Sequence, residues 1–234
     1  LQHDLDARPL WDRWVSPVVG VARIPVDPYL TAALAAAAVG ACSAHRAELS
    51  AIERYVLVDD AWAAVLADEL DAPAFLDLCR TLAADEDDLS VWQRIAAGLG
   101  SVDRIVPADA RAAWTAEVRA IARPALDRLG WEAAADEPER RRQLRGTLVS
   151  LLGTVGEDDE AVARARDVHE RALAGEKGRD PSRVAAAVDV VAATGSAEDF
   201  DVFVARMDEA PTPQESMRYT YALARRIHDA SQNF

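Results

Sequence analysis

Two adjacent acids, Asp59 and Asp60, interrupt the apolar stretch VLVDDAWAAVLADEL at residues 56–70. A metal site or an acid–base pair would need such carboxylates to converge on one point. On a helix, however, adjacent side chains diverge by about 100°. With Val58 as the centre of the apolar face, Asp60 falls on the opposite face and Asp59 on the flank. We therefore expect Asp60 to face solvent or a turn, and Asp59 to need an arginine or a backbone donor wherever it meets another helix.

The four histidines are scattered along the chain and form no i, i+4 pair. The segment closest to a zinc-protease motif is HERAL at 169–173, in which Leu173 stands where H-E-x-x-H requires its second histidine. Because a zinc site of this kind needs both imidazoles, the motif fails. His169 is therefore predicted to be a half-exposed helix residue.

Other catalytic and phosphate-binding motifs, such as G-x-S-x-G and G-x-x-x-x-G-K, do not occur in the sequence. The acidic run DEDD at 85–88 carries little information in a chain with 40 acids. Asp85 and Glu86 are expected at a helix start, where negative charge complements the helix dipole. We therefore assign no catalytic residue and no metal ligand, and expect no cofactor in this chain.

The run ERRRQLR at 139–145 is the one concentrated positive patch in the sequence. On a helix, Arg141 and Arg145 share a face, as do Arg142 and Arg145. The arginines could be surface residues paired with the surrounding acids. Alternatively, their guanidinium groups could capture a carboxylate, for which the planar fork is suited.

Composition limits the partners and the compartment. With 26 Lys and Arg against 40 Asp and Glu, the net charge of −14 repels phosphate backbones and anionic membranes, so neither nucleic acid nor a membrane is an expected partner. No apolar run reaches the roughly 18–20 residues of a transmembrane helix. Cys42 and Cys79 are far apart and match no metal or disulfide spacing, which favours a cytoplasmic location.

Alanine-rich content with only 6% aromatic residues favours an all-α fold. Helix starts are indicated by capping boxes at Ser50, Ser196 and Thr212, and Pro124 should kink or split the helix that contains it. We expect about ten helices in an irregular solenoid of antiparallel hairpins, a HEAT- or armadillo-like superhelix. Residues 1–28 are interpreted as an extended lead-in, a linker from an upstream domain, and residues 29–234 as a single α-helical repeat domain.

Several segments carry a resemblance to a known family. The stretch SAIERYVLVDDAW and its continuation contain Arg54, the pair Asp60-Ala61, Glu86 and the pair Val91-Trp92. LDRLGW at 126–131 and a Leu-Arg helix followed by an Ala-Arg helix come next, in the family's order. Together these segments resemble the C-terminal helical domain of the zinc aminopeptidase N family, which includes the puromycin-sensitive and endoplasmic-reticulum aminopeptidases.

The resemblance implies a helical array that covers the active site of a zinc metalloaminopeptidase and encloses a peptide-binding cavity. It implies that the zinc and the catalytic residues belong to a catalytic domain upstream in the same chain, so this part alone is expected to be inactive. The expected partners are that domain and peptide substrates. At the family's Asp position, Asp60 would accept hydrogen bonds from an adjoining helix, which conflicts with its placement by helical geometry.

Members of the family use basic residues to engage the far end of a peptide. On that basis the candidate contacts to a peptide carboxylate are Arg119, Arg123 and Arg145, with ion pairs between helices as the alternative role. A different reading of the whole chain also stays open: a stand-alone helical-repeat scaffold that binds a protein partner on its concave face. The presence or absence of an upstream metalloprotease module would distinguish the two.

Overall fold

The computed structural model describes residues 45–176, 180–210 and 212–232 and positions 37, 40 and 41, with side chains up to residue 224. The lead-in predicted over residues 1–28 and the residue Cys42 lie outside the described residues. Throughout the described ranges the secondary structure is helical, with nine α-helices and no strand. This confirms the all-α prediction. In chain order the helices are α1 (Ala51–Leu66), α2 (Ala72–Ala83), α3 (Leu89–Asp103), α4 (Arg111–Leu129), α5 (Glu139–Thr154), α6 (Asp159–Leu173), α7 (Pro181–Thr194), α8 (Ala197–Asp208) and α9 (Pro213–Gln232).

The chain divides into two compact units, residues 1–98 and 99–234, with the boundary inside α3. In the first unit, α1 packs against α2. Helix α1 begins at the predicted capping box, in which Ser50 and Glu53 exchange side-chain and backbone hydrogen bonds. The core of this unit is made of large apolar side chains that α1, α2 and the first part of α3 turn inward: Val58, Phe75, Leu78, Leu82, Trp92 and Ile95.

In the second unit, helices pack against their neighbours in sequence and against the helix after next. Contacts join α4 to α5, α5 to α6, α6 to α7 and α8 to α9, while α7 also contacts α5 and α9. Such contacts are compatible with stacked helix hairpins. The superhelical course and the single domain over residues 29–234 stay predictions.

Helices α5 and α7 approach closely because two residues of α5 lack a side chain. A Cβ on Gly153 would lie 2.5 Å from Cγ2 of Val190, and a Cβ on Gly146 would lie 3.0 Å from the carbonyl oxygen of Ser182. Both distances are shorter than ordinary van der Waals contacts. The two glycines therefore fix how near the axis of α7 can come to α5.

Of the two outcomes expected at Pro124, a kink or a split, the split does not occur: α4 is one helix. Proline removes one helical hydrogen bond, and its ring crowds the preceding turn. Here the proline ring is exposed, whereas Ile121, Ala122, Ala125 and Leu126 are buried. Burial of these neighbours offsets the local cost and keeps residues 111–129 in one helix.

Candidate functional site

The three arginines predicted to meet a peptide carboxylate all lie in the second unit, and Arg145 is the most deeply buried, at 1% exposed. Its Nη1 and Nη2 donate to the two carboxylate oxygens of Glu137, at 2.6 and 2.8 Å. Its Nε donates to the carbonyl of Gly130 at 2.7 Å, and Nη2 also reaches the carbonyl of Leu129 at 3.3 Å. Arg145 therefore ties the end of α4 and the following loop to α5.

Arg119 and Arg123 lie one turn apart on α4 and are directed toward the loop between α5 and α6. Arg119 donates to the carbonyl oxygen of Gly156. Arg123 pairs with Asp158 at 3.1 Å and with Glu160. These contacts match the alternative role given for the three arginines, that of linking one helix to the next. A peptide contact for any of the three residues stays a prediction.

Arg123 also interacts with the acid one turn further along its own helix. Its Nε donates to Asp127 at 2.9 Å. The hydrogen bonds to Asp127 and Glu160, together with the charge of Asp158, raise the pKa of the Arg123 guanidinium above its ordinary value. Glu160 is shared between two cations, and its hydrogen bonds with Arg123 and then Arg164 lower its pKa. The cluster is thus a compensated network of charges rather than a free positive site.

Trp131 stands beside this network. The guanidinium carbon of Arg164 lies 4.5 Å from the centre of the indole ring, and that of Arg123 lies 5.4 Å from it. Both distances fall in the range of cation–π attraction. Trp131 follows Gly130, which has a φ of +79° and ends α4. The left-handed glycine therefore directs the chain so that the indole reaches the two arginines.

A shallow, open pocket adjoins Trp131 and is bordered by α5, α6 and α7. Two of its lining residues are the cations Arg164 and Arg183, which pair with Glu160 and Glu132. The other walls are small or apolar: Gly146, Val149, Ala165, Val168 and Ala187. Chemically, either arginine at this pocket can exchange its own acid for the carboxylate of a ligand.

In the first unit, three of the residues that carried the family resemblance form one hydrogen-bonded network. Arg54 on α1 donates to both carboxylate oxygens of Glu86, at 2.6 and 2.9 Å. The carbonyl of Glu86 accepts from the indole nitrogen of Trp92 at 3.1 Å. Glu86 lies just before α3, where an acid was expected, but it is buried and paired with Arg54. Asp88 accepts hydrogen bonds from the amides of Ser90 and Val91 in the first turn of α3.

The paired acids Asp59 and Asp60 do not form a common site. Asp59 on α1 forms an ion pair with Arg94 on α3, which is the arginine partner expected for an acid on the helix flank. Asp60 is half-buried rather than solvent-facing, and no hydrogen-bond partner for it is seen among the described residues. Burial, with the nearby charge of Asp59, raises the pKa of Asp60. The predicted solvent-facing position of Asp60 is therefore wrong.

His169 is 3% exposed, so the prediction of a half-exposed residue is wrong. The HERAL stretch places it on the side of α6 that meets α8, where it packs against Phe203. In the described part of the chain, no three His, Cys, Asp or Glu side chains lie close enough to hold a metal ion. The described helices also include none that is both long and apolar enough to cross a membrane.

Sequence reasoning missed Trp131, Arg164 and Arg183. The signal for Trp131 was present, because a tryptophan directly after a helix-ending glycine in a chain with few aromatics is a candidate for a specific contact. The two arginines carried no such signal. They belong to separate helices and meet the pocket only through the packing of α6 and α7.

Comparison with known proteins gave one family. A model of the ERAP1-like C-terminal domain matches residues 18–231, which is nearly the whole chain. A comparison with curated proteins gave no match. The matched region includes the Arg54–Glu86 network as well as the arginine cluster around Trp131.

Proposed function

Because the chain belongs to the family of ERAP1-like C-terminal domains, we propose that it is the accessory domain of a zinc aminopeptidase. In this role it caps the active site and shapes the cavity that receives the peptide. Zinc and the catalytic residues come from an upstream catalytic domain, which is its main partner. The family match over residues 18–231 is the observation that carries the proposal.

Peptide substrates would reach the arginine cluster of the second unit. Arg145 is fully engaged with backbone and carboxylate oxygens and has 1% of its surface exposed. Arg119 and Arg123 are only partly buried, so we assign the contact with a peptide carboxylate to them. Arg164 at the neighbouring pocket is a further donor. A peptide carboxylate that binds Arg123 and Arg164 would compete with Glu160, the acceptor that these two arginines share.

A cytoplasmic location is part of the proposal. Cys79 is a free thiol that is fully buried in the first unit. A buried free thiol suits a reducing compartment, where disulfides rarely form. The charge of −14 likewise suits a protein whose partners are peptides and not nucleic acid.

The test compares this chain with the longer polypeptide that includes its upstream catalytic domain. We expect hydrolysis of a fluorogenic amino-acid amide by the longer protein and none by this chain. With peptides of increasing length, kcat/KM of the longer protein should depend on length, and removal of residues 29–234 should abolish that dependence. Unchanged length dependence after removal would overturn the capping role. No activity in either protein would favour the scaffold.

The arginine contacts are tested separately in the longer protein. Arg119→Gln and Arg123→Gln should raise KM for long peptides and leave the amino-acid amide unaffected, because only long peptides reach the cluster. Arg171→Gln is the matched control, since Arg171 is an exposed arginine of α6 that pairs with Asp167 on its own helix. Equal effects of all three variants, or none, would contradict the assignment.

A further inference from the structure

His169 of α6 occupies an apolar junction with the last helix pair. Its Nε2 atom is buried and has no hydrogen-bond partner. The ring packs edge-on against Phe203 of α8, with centroids 5.3 Å apart, and Phe203 packs in the same way against Tyr219 of α9, also at 5.3 Å. His169 of α6, Phe203 of α8 and Tyr219 of α9 therefore form a row of three rings in contact.

Each of the two helices α6 and α8 contributes one acid and one arginine whose charges influence the pKa of His169. Asp199 on α8 and Glu170 on α6 raise it, whereas Arg206 on α8 and Arg166 on α6 lower it. Their effects oppose one another, so burial is the strongest influence and lowers the pKa of His169.

The charged side chains near the ring form hydrogen bonds with other groups. Asp199 accepts hydrogen bonds from the Ser196 amide at 2.7 Å and from Arg166 at 3.4 Å. Arg206 donates to the carbonyl of Leu173 at 2.9 Å. None of these groups forms a hydrogen bond with the imidazole itself.

The neighbouring helices do not compensate a charge on the ring. On α7, Asp180 caps its own helix, Arg183 pairs with an acid of the loop before α5, and Asp189 accepts a hydrogen bond from a serine of α5. On α9, the charge of Glu215 raises the pKa of the Tyr219 hydroxyl and the charge of Arg218 lowers it. A protonated imidazole would therefore be a buried cation with an unpaired N–H, which is a costly arrangement.

We propose that His169 is an acid-sensitive switch that controls the docking of the α8–α9 hairpin on α6 and α7. Uptake of a proton from solvent makes the ring an imidazolium. This charged form is stable only when the junction opens and water hydrates it. The hairpin then leaves its place while α4 to α7 remain folded. Docking rests on one apolar cluster contributed by α7, α8 and α9: Val188, Val191, Ala192, Phe203, Tyr219, Ala222 and Leu223.

The sign of the pH effect follows from proton linkage. In the open form, with the hairpin undocked, the imidazole has its ordinary pKa of about 6.5, whereas in the closed, docked form its pKa is lower. At pH values between these two pKa values, the open form therefore binds more protons. The free energy of opening decreases as the pH falls below about 7, and it stops changing once the pH is under the closed-state pKa.

Hydrogen exchange followed by mass spectrometry on the whole chain tests the switch at pH 7.5 and pH 5.5, after correction for intrinsic exchange rates. Protection of amides in residues 197–224 should fall by up to about tenfold, because pH 5.5 lies about one unit below the open-state pKa. Protection in α1 and α2 should not change. His169→Phe keeps an apolar ring that cannot be protonated, so its hairpin should stay protected at pH 5.5. His45→Gln alters an exposed histidine and should behave like the wild type.

Two exchange results would overturn the proposal: an equal loss of protection in His169→Phe, or no loss in the wild type. If His169→Phe fails to fold, His169→Gln provides a second uncharged variant. Nitrogen-15 NMR of the wild-type imidazole gives an independent measure, because ring protonation must coincide with loss of the amide signals of α8. Protonation with the hairpin still docked would also refute it. Neither measurement depends on aminopeptidase activity, so the proposal stands apart from the proposed function.

Discussion

Arg54 and Glu86 form a two-pronged ion pair in which Nε lies 2.6 Å from Oε2 and Nη2 lies 2.9 Å from Oε1. The Glu86 side chain is 1% exposed, and its Oε1 also accepts from the amides of Asp87 and Asp88, at 3.0 and 2.9 Å. A third donor of Arg54 bonds the carbonyl of Leu49 at 2.7 Å. The pair therefore connects the start of α1 to the turn that precedes α3.

Arg54→Met should lower the free energy of unfolding by about 3 kcal/mol, because it leaves the buried carboxylate of Glu86 without its cation. Arg46→Met is the matched control, since Arg46 makes the same kind of two-pronged contact with Asp85, whose side chain is 64% exposed. That variant should change stability by less than about 1 kcal/mol. Urea unfolding measures both. Similar losses in the two variants would show that burial of Glu86 does not decide the effect.

Cys79 should be unreactive in the folded protein. The thiol is fully buried on α2, and burial raises its pKa to about 12, so the reactive thiolate is scarce at pH 8. In a Cys42→Ser variant, an aromatic disulfide reagent should modify Cys79 only as fast as the first unit opens, and rapidly in 6 M urea. A fast native reaction that saturates without urea would contradict the burial of this helix face.

Much of the helical fold could be predicted from the sequence because its signals are local. The capping boxes at Ser50 and Ser196 form as predicted, and Pro73 lies in the first turn of α2. Such features depend on residues within four positions of one another. Pro124 differs, because burial of α4 by its neighbours decides whether the helix continues, and no local pattern reports that burial.

The site was harder to predict because its residues meet over long sequence distances. The role of Glu86 depends on Arg54, 32 positions earlier, and Trp131 meets Arg164, 33 positions later. His169 was predicted to be half-exposed once its metal motif failed, because the sequence does not show which helices pack around α6. In the structure the ring is buried and packs against Phe203 of α8, while α6 also packs against α5 and α7.

Gly153→Ala should destabilise the protein by about 1–3 kcal/mol, although alanine favours helix more than glycine does. The new methyl group would lie 2.5 and 2.7 Å from the two Cγ atoms of Val190 on α7. Gly100→Ala is the matched control in α3, because nothing lies within 4 Å of its added Cβ. That change should stabilise by up to about 1 kcal/mol. Thermal unfolding measures both changes.

Truncation of the opposing side chain isolates the clash at this crossing. Val190→Ala removes both Cγ atoms that would meet the new methyl group. The double variant Gly153→Ala/Val190→Ala should therefore lose less stability than the sum of the two single variants. Additive losses would show that the two helices do not collide at this point.

Arg145→Met should cost about 3 kcal/mol of stability, since it leaves the buried carboxylate of Glu137 with only the exposed Arg141 as its cation and frees the Leu129 and Gly130 carbonyls at the end of α4. Arg171→Met, which breaks an exposed pair within one helix, is the control and should cost at most about 0.5 kcal/mol. Urea unfolding at pH 7 measures the difference.

The same pair predicts a pH dependence with a definite sign. The hydrogen bonds and charge of Arg145 hold the pKa of Glu137 below its usual range. The stabilisation is therefore complete above the unfolded-state pKa of about 4.3 and is lost as the pH falls through the lower folded-state value. Consequently, Glu137→Gln should be less stable than wild type at pH 7, and the gap should narrow as the pH is lowered toward 3. A stability difference that stays constant across this range would mean that ionisation of Glu137 does not stabilise the fold. Arg145 would then stabilise it through its carbonyl contacts alone.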